Sequence, residues 1–195
     1  MRSIVIIAVL VGLGGILFIS GCNFNNSVVG LDEQVSKAWS DVQSEYQRRA
    51  DLIPNLVSTV KGAAGFEQET LTAVTEARAK ATSINIDPSN ITPEQMKAFQ
   101  EAQAGLSSSL GRLLVVSENY PELKANANFR DLQVQLEGTE NRIKVARNDF
   151  NEVVTTYNTK IRKFPGSLFA SILGFDRKTQ FEAQEGAQNA PKVEF

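Results

Sequence analysis

From Phe129 to Phe164 an apolar residue keeps returning at helical spacing: Phe129, Leu132, Leu136, Ile143, Phe150, Val154, Tyr157, Ile161 and Phe164. Residues three, four and seven apart share one face of a helix, so a stripe of this period predicts a long helix with one buried side. Pro165 and Gly166 stop it, Asn128 is placed to cap its start, and Asp131 suits its first turn. A helix of this length cannot bury its stripe alone. It requires helical neighbours.

The rest of the chain supplies them. Leu31, Val35, Ala38, Val42, Tyr46, Ile53, Leu56, Val60 and Ala64 form a second stripe, flanked by Trp39, Leu52 and Val57, and predict a helix over residues 31–64. A shorter helix is expected over residues 66–82, with Leu71, Val74, Ala77 and Ala81 inward. After the turn formers of SINIDPSNI, Thr92-Pro93-Glu94-Gln95 offers an N-cap, a first-turn proline and a capping-box glutamine. That helix runs through Phe99, Leu106, Leu110, Leu113, Leu114 and Val116 to Tyr120, where Pro121 ends or bends it. No strand pattern competes. Short loops between long amphipathic helices favour antiparallel neighbours. The expected fold is therefore all-α: an antiparallel up-down bundle of three to four long helices after an N-terminal hydrophobic anchor or signal segment. A coiled-coil oligomer is the alternative, and the unequal helix lengths argue for packing within one chain. Residues 1–22 read as the signal or anchor segment, 28–181 as the bundle and 182–195 as a disordered tail. The chain beyond Gly174 is expected to be disordered on its small, polar composition.

The N-terminus has an export pattern: Arg2, an apolar run from Ile4 to Ile19, then Ser20, Gly21 and Cys22. The run falls somewhat short of the roughly 20 residues of a spanning helix. Ile19-Ser20-Gly21-Cys22 resembles a lipoprotein box, in which Cys22 is lipidated and becomes the first residue after cleavage. The alternative is an uncleaved single-pass anchor. Either way Arg2 keeps the N-terminus cytoplasmic and sends the bundle across. Asn23 leaves inner or outer membrane open.

Composition removes much chemistry. There is no histidine, and Cys22 is the only cysteine, so His-based general acid/base catalysis, Cys–His nucleophiles, internal disulfides and His/Cys zinc sites are excluded. A net charge of -2 offers no field for nucleic acid. Glu118 with Glu122, and Glu137 with Glu140, have the spacing of solvated helix faces rather than of an acid and a base. SINIDPSNI has too few carboxylates for a calcium loop. Ser107 to Ser109 read as small packing residues with no basic partner. Asn141, Asn148, Asn151 and Asn158 either satisfy buried polar groups or bind a partner. No cofactor and no metal site is expected.

Three charges interrupt apolar seams. Val42, Tyr46, Arg49, Ile53 and Leu56 form one seam; Leu136, Glu140, Ile143, Arg147, Phe150 and Val154 form the other. With these helices antiparallel and Ala64 opposite Phe129, the equal rise of about 1.5 Å per residue brings Arg49 level with position 144, within reach of Glu140. Arg48 then faces solvent or Glu45. Arg49, Glu140 and Arg147 are accordingly expected to form a structural polar layer that sets register. Pro54, which costs about 3 kcal/mol inside a helix, is expected to kink the first helix; the alternative is a break capped by Asp51. At the other end, Ser167 can cap a short helix ending at Gly174, with Leu168, Phe169, Ile172 and Leu173 on its apolar side and Arg177 and Lys178 following. Those four either touch a membrane interface or plug the base of the bundle.

YQRRADLIPNLV at residues 46–57, followed by Val60-Lys61-Gly62, resembles the first motif of the LemA family. SENYPELKAN at residues 117–126 with Phe129, Leu132 and Gln133 is similar to its second motif; Thr139 to Ile143, Ala146-Arg147 and Val154 to Asn158 are similar to its third, and Phe164-Pro165 to its end. The resemblance covers residues 31–181. It implies a membrane-anchored helical bundle facing away from the cytoplasm, in a set that includes a magnetosome membrane protein group, and supplies no reaction, substrate or catalytic residue. Two functions remain: a non-catalytic scaffold or partner-binding module in the cell envelope, and a membrane-shaping or lipid-contacting module using the C-terminal apolar segment. The expected partners are a membrane through the N-terminus and an envelope protein.

Overall fold

A computed structural model describes residues 2–62, 67–88 and 90–182, with the backbone alone for residues 2, 5, 8 and 9. Among the described residues the chain is all-helical, with no strand: α1 (Arg2–Lys61), α2 (Gln68–Ser83), α3 (Pro93–Ser117), α4 (Pro121–Ala125), α5 (Ala127–Arg162) and α6 (Gly166–Leu173).

The N-terminal apolar run and the first body helix are one continuous helix. Phe24, Val28, Val35, Trp39 and Val42 are all buried, so the inward face extends upstream of residue 31, and Asn25, Asn26 and Gly30 do not interrupt it. Pro54 also lies inside α1 without breaking it, and Ile53 and Leu56 beside it are buried. A proline has no N–H for the carbonyl four residues back. That carbonyl, on Ala50, instead accepts from Arg78 Nε of α2 at 2.8 Å. The break capped by Asp51 does not form; Asp51 is exposed and accepts from Gln47 Nε2 at 2.7 Å.

α3 begins with the capping box: Gln95 N donates to Thr92 Oγ1 at 3.2 Å and Thr92 N to Gln95 Oε1 at 3.1 Å. Pro121 opens the separate short helix α4. The cap of α5 is Asn126 rather than Asn128: its Oδ1 accepts from the backbone of Asn128 and Phe129 at 2.9 and 3.3 Å. Capping two residues earlier moves the buried Phe129 from the first to the third helical position, and Asp131 then lies beyond the first turn. Ser167 is not a cap either. α6 starts at Gly166, where an added Cβ would lie 2.6 Å from Lys160 O and 2.7 Å from the Phe24 ring, so only glycine fits. Gly174 ends α6 at φ 76°, in the left-handed region that favours glycine.

α1 packs along α5, and α2 against α3. The α1 and α5 contacts run antiparallel: Trp39 meets Phe150, Glu45 meets Arg142, and Arg49 meets Glu140. The interior falls into two apolar clusters. One holds Trp39, Tyr46, Phe99, Ile143 and Phe150; the other holds Ile53, Leu56, Leu106, Leu113 and Leu136. On α1, α3 and α5 the boundary comes at the level of Arg49, Gln103 and Glu140.

The chain after Gly174 departs from the disorder expected of it. Residues 175–182 run back along α5, with Phe181 only 6% exposed among Trp39, Phe99 and Phe150. Composition misled because a single aromatic and a few backbone hydrogen bonds are enough to dock a polar segment on a formed surface. Residues 183–195, most of the expected disordered tail, lie outside the described residues.

Candidate functional site: a buried arginine layer and an apolar base

Arg49 is buried, its guanidinium at the junction of α1, α3 and α5. Nη1 donates to Glu140 Oε2 and to Ser107 Oγ, both at 2.7 Å; Nη2 donates to Gln103 Oε1 at 2.7 Å and to Gln103 O at 3.3 Å. Gln103 Nε2 continues to Ala81 O of α2 at 3.3 Å. One side chain on α1 thus braces α3 and α5 directly and α2 through Gln103. Its position follows from the stripe: Arg49 falls three residues after Tyr46 and four before Ile53, on the inward face, where a cation must be paired. Ser107, read as lacking a basic partner, is one of its acceptors. Gln103 was not singled out in the sequence, because a lone glutamine on a helix face carries no signal of its own.

Arg147 lies apart from the Arg49 hydrogen bonds. Its guanidinium stacks 4.6 Å from the centroid of Phe181, and Nη2 donates to Glu182 O at 3.4 Å. Tyr46 links the two arginines: Arg49 stands 5.1 Å over its ring, and burial pushes the Tyr46 hydroxyl above its ordinary pKa against the opposing pull of Arg147 and Arg49. Arg48 is exposed, and Glu45 pairs with Arg142 at 3.1 Å instead. Of the other carboxylates considered as acid/base pairs, Glu118 is engaged with Lys124, and Glu137 accepts from Gln133 Nε2 at 3.1 Å. Among the described residues no group of three or more Cys, Asp or Glu side chains converges on a point where a metal could sit.

Tyr157 gives this end of the bundle a pH dependence. Burial, and then the nearby Asp32 and Asp176, push its pKa up to about 12. In the unfolded chain a tyrosine ionises near pH 10. Between these values the unfolded state has lost a proton that the folded state retains, so rising pH favours unfolding. Urea midpoints are expected to fall between pH 9 and pH 11, and to fall less in Tyr157→Phe; an identical slope in both proteins would remove Tyr157 as the cause.

At the same end, α6 follows α5 and packs beside the start of the buried part of α1. Phe169 lies 5.7 Å from Phe24, centroid to centroid, and its ring approaches Gly21. Phe169 therefore belongs to the packed interior, which separates it from the other three residues read with it. Leu168, Ile172 and Leu173 are exposed, as is Phe164. Cys22 is exposed on the same level of α1. The described large apolar side chains of the run before it, including Ile6, Leu10, Leu13, Leu17 and Phe18, are exposed as well. Among the described residues no helix is long and apolar enough to cross a membrane, so the single-pass anchor finds no support there.

Fold and site together define an all-helical protein whose buried arginine is held through both Nη atoms by the same chain, its Nε being buried without a hydrogen-bond partner. Residues 38–195 match the model of the LemA family, and the chain belongs to that family. It is similar to the magnetosome proteins MamQ 2 and MamQ 1 of Paramagnetospirillum magneticum, each 28% identical over 174 residues, which cover 80% of this chain and 64% of theirs. The chain thus spans just under two thirds of the length of those relatives. It is also similar to protein LemA of Metamycoplasma hominis, 25% identical over 171 residues, 88% of this chain and 74% of the relative.

Proposed function

We propose that this protein is a non-catalytic scaffold, tethered to a membrane at the N-terminal end of an antiparallel up-down bundle, that works in the cell envelope by holding a partner. One observation carries the reading: Cys22, the exposed apolar run before it and the exposed face of α6 all lie at one end of the molecule, while the buried Arg49 is engaged by Glu140, Ser107 and Gln103 of the same chain. Lipid on Cys22 would leave the mature chain starting one residue after the point where Phe169 touches α1. Arg2 ahead of the apolar run supports export of the remainder. The likeness to magnetosome proteins supports a membrane-associated role.

A second reading has its own observation. Of the four large apolar residues on α6 only Phe169 packs against the base, and Leu168, Ile172 and Leu173 remain exposed, as does Phe164. This favours direct contact of α6 with lipid, which amphipathic segments achieve by burying their apolar side at the headgroup boundary. Two measurements test these readings. Intact-mass analysis of the protein from native membranes is expected to find lipid on Cys22 as the first residue; a chain retaining Met1 with unmodified Cys22 overturns that tether. Unlipidated protein is expected to co-sediment with anionic vesicles several-fold better than Leu168→Ser/Ile172→Ser/Leu173→Ser, and equal, negligible sedimentation of both removes lipid contact and leaves the scaffold.

A further inference from the structure

The segment after Gly174 is held as a bound peptide would be. Asn158 and Asn151 each clasp one residue of it by both its backbone N–H and its backbone C=O. Asn158 Nδ2 donates to Lys178 O and Lys178 N donates to Asn158 Oδ1, both at 2.9 Å; Asn151 Nδ2 donates to Phe181 O at 3.0 Å and Phe181 N donates to Asn151 Oδ1 at 2.8 Å. Two turns of helix separate the asparagines, about 10.5 Å at 1.5 Å per residue. The three residues from 178 to 181 cover that distance only when nearly fully extended, at about 3.3–3.6 Å each. The helix therefore offers a ruler for extended backbone, running antiparallel to α5, and its hydrogen bonds are indifferent to side-chain identity.

Four of its side chains are held as well: Thr179 Oγ1 donates to Ile91 O at 3.1 Å, Gln180 Nε2 donates to Asn151 O at 2.9 Å and to Thr155 Oγ1 at 2.6 Å, and Lys178 and Phe181 occupy the two most specific places. Lys178 enters a site made by Asp32, at 2.6 Å, and the Tyr157 ring, 5.3 Å from the ammonium. Phe181 stacks on Trp39 at 5.8 Å, meets Phe150 edge-on at 5.5 Å and is covered by Arg147. Trp39, stacked on Phe181, is fully buried, and its indole Nε1–H has no hydrogen-bond partner.

From this geometry we infer that the groove over Asn151 and Asn158 is a binding site for an extended peptide of a partner protein, with a cation three residues before an aromatic, and that residues 175–182 fill it as an internal placeholder. The inference rests on the partner-holding reading above and names its site. A second copy of this chain is the poorer occupant. Its segment offers the same contacts as the internal one, which competes at an effective concentration of about millimolar. A foreign segment that also accepts from Trp39 Nε1 makes a contact the internal one lacks. Gly174, with its left-handed backbone, is the joint at which the segment leaves α6.

The test uses the full chain carrying Phe181→Asp, which vacates the aromatic pocket while keeping both asparagines. A labelled peptide of residues 175–182 is expected to bind it, to bind wild-type at least tenfold more weakly because the internal segment competes, and to lose at least tenfold in affinity when Asn151→Leu and Asn158→Leu are added. A Phe181→Asp chain that retains its helix content yet ignores the peptide overturns the inference. Hydrogen exchange on the wild-type full chain gives an independent readout. The amides of Lys178 and Phe181 are expected to exchange at least a hundredfold faster than those of Phe150 and Val154, through release of the segment; exchange only together with α5 overturns a releasable placeholder. Wild-type chains that dimerise through the groove, with dimerisation lost in Phe181→Asp, would assign it to a second copy and overturn the foreign occupant. Peptide binding is measured without a membrane, so its failure leaves the tether standing, and failure of the tether leaves peptide binding measurable.

Discussion

Glu140→Met is expected to destabilise the protein by about 3–5 kcal/mol, the usual cost of stripping a buried charge of its counter-ion, and by more than Arg49→Met does. The asymmetry comes from where each partner sits. The Arg49 side chain is 3% exposed and that of Glu140 58% exposed. Removing Glu140 leaves a guanidinium away from water with only Gln103 and Ser107 to accept from it. Removing Arg49 leaves a carboxylate already in contact with solvent, and the main loss is the unpaired Gln103 carbonyl oxygen, worth about 1–3 kcal/mol. The double variant is expected to resemble Arg49→Met alone, giving a coupling between the two sites about as large as the Glu140→Met loss itself. Urea unfolding followed by helical circular dichroism measures all three. Arg48→Ala, at an exposed position one residue away, provides the control and is expected to stay within about 0.5 kcal/mol of wild-type. Should Glu140→Met cost no more than Arg48→Ala, the arginine layer would not brace the bundle.

Trp39→Ala is expected to cost about 3–5 kcal/mol, as large-to-small substitutions of buried aromatics do. Trp39 is fully buried and touches Phe99 and Phe150 at 5.4 Å and Phe181 at 5.8 Å, so one ring joins α1, α3, α5 and the docked segment. Its removal leaves a cavity that three aromatics from different parts of the chain must close over, and collapse at one wall opens another. Trp39→Phe is expected to cost less than about 1.5 kcal/mol, since a ring still fills much of the volume and the unpartnered indole N–H is gone. Unfolding midpoints distinguish the two. A Trp39→Ala loss below that of Trp39→Phe would show that the ring is not central to the packing.

Much of the helical framework was legible because its causes are local. The period of three and four residues placed the buried faces of α1, α3 and α5, Thr92-Pro93-Glu94-Gln95 marked the start of α3, and Gly174 marked the end of α6. Even the level of Arg49 against α5 followed from equal rise along two antiparallel helices: the expected position was 144, and the observed acceptor is Glu140. Helix ends were less legible. Asn126 and Asn128 are the same residue type two positions apart, and local sequence does not say which of them meets the first free backbone N–H groups; in the fold Asn126 accepts from Asn128 and Phe129.

What the sequence by itself determined, then, is where the helices lie, which faces they bury and which charges must be answered within the interior. Tertiary structure alone decided who answers them. Arg49 found Gln103 and Ser107 on a helix 54 and 58 residues away, the Ala50 carbonyl orphaned by Pro54 found Arg78, and the segment after Gly174 found Asn151 and Asn158. Helical periodicity reports burial along one segment, set by neighbours within two turns. Hydrogen-bond partners across helices are set by the relative height and rotation of whole elements, and a segment too polar to fold alone becomes ordered only once a formed surface presents matching donors and acceptors to it.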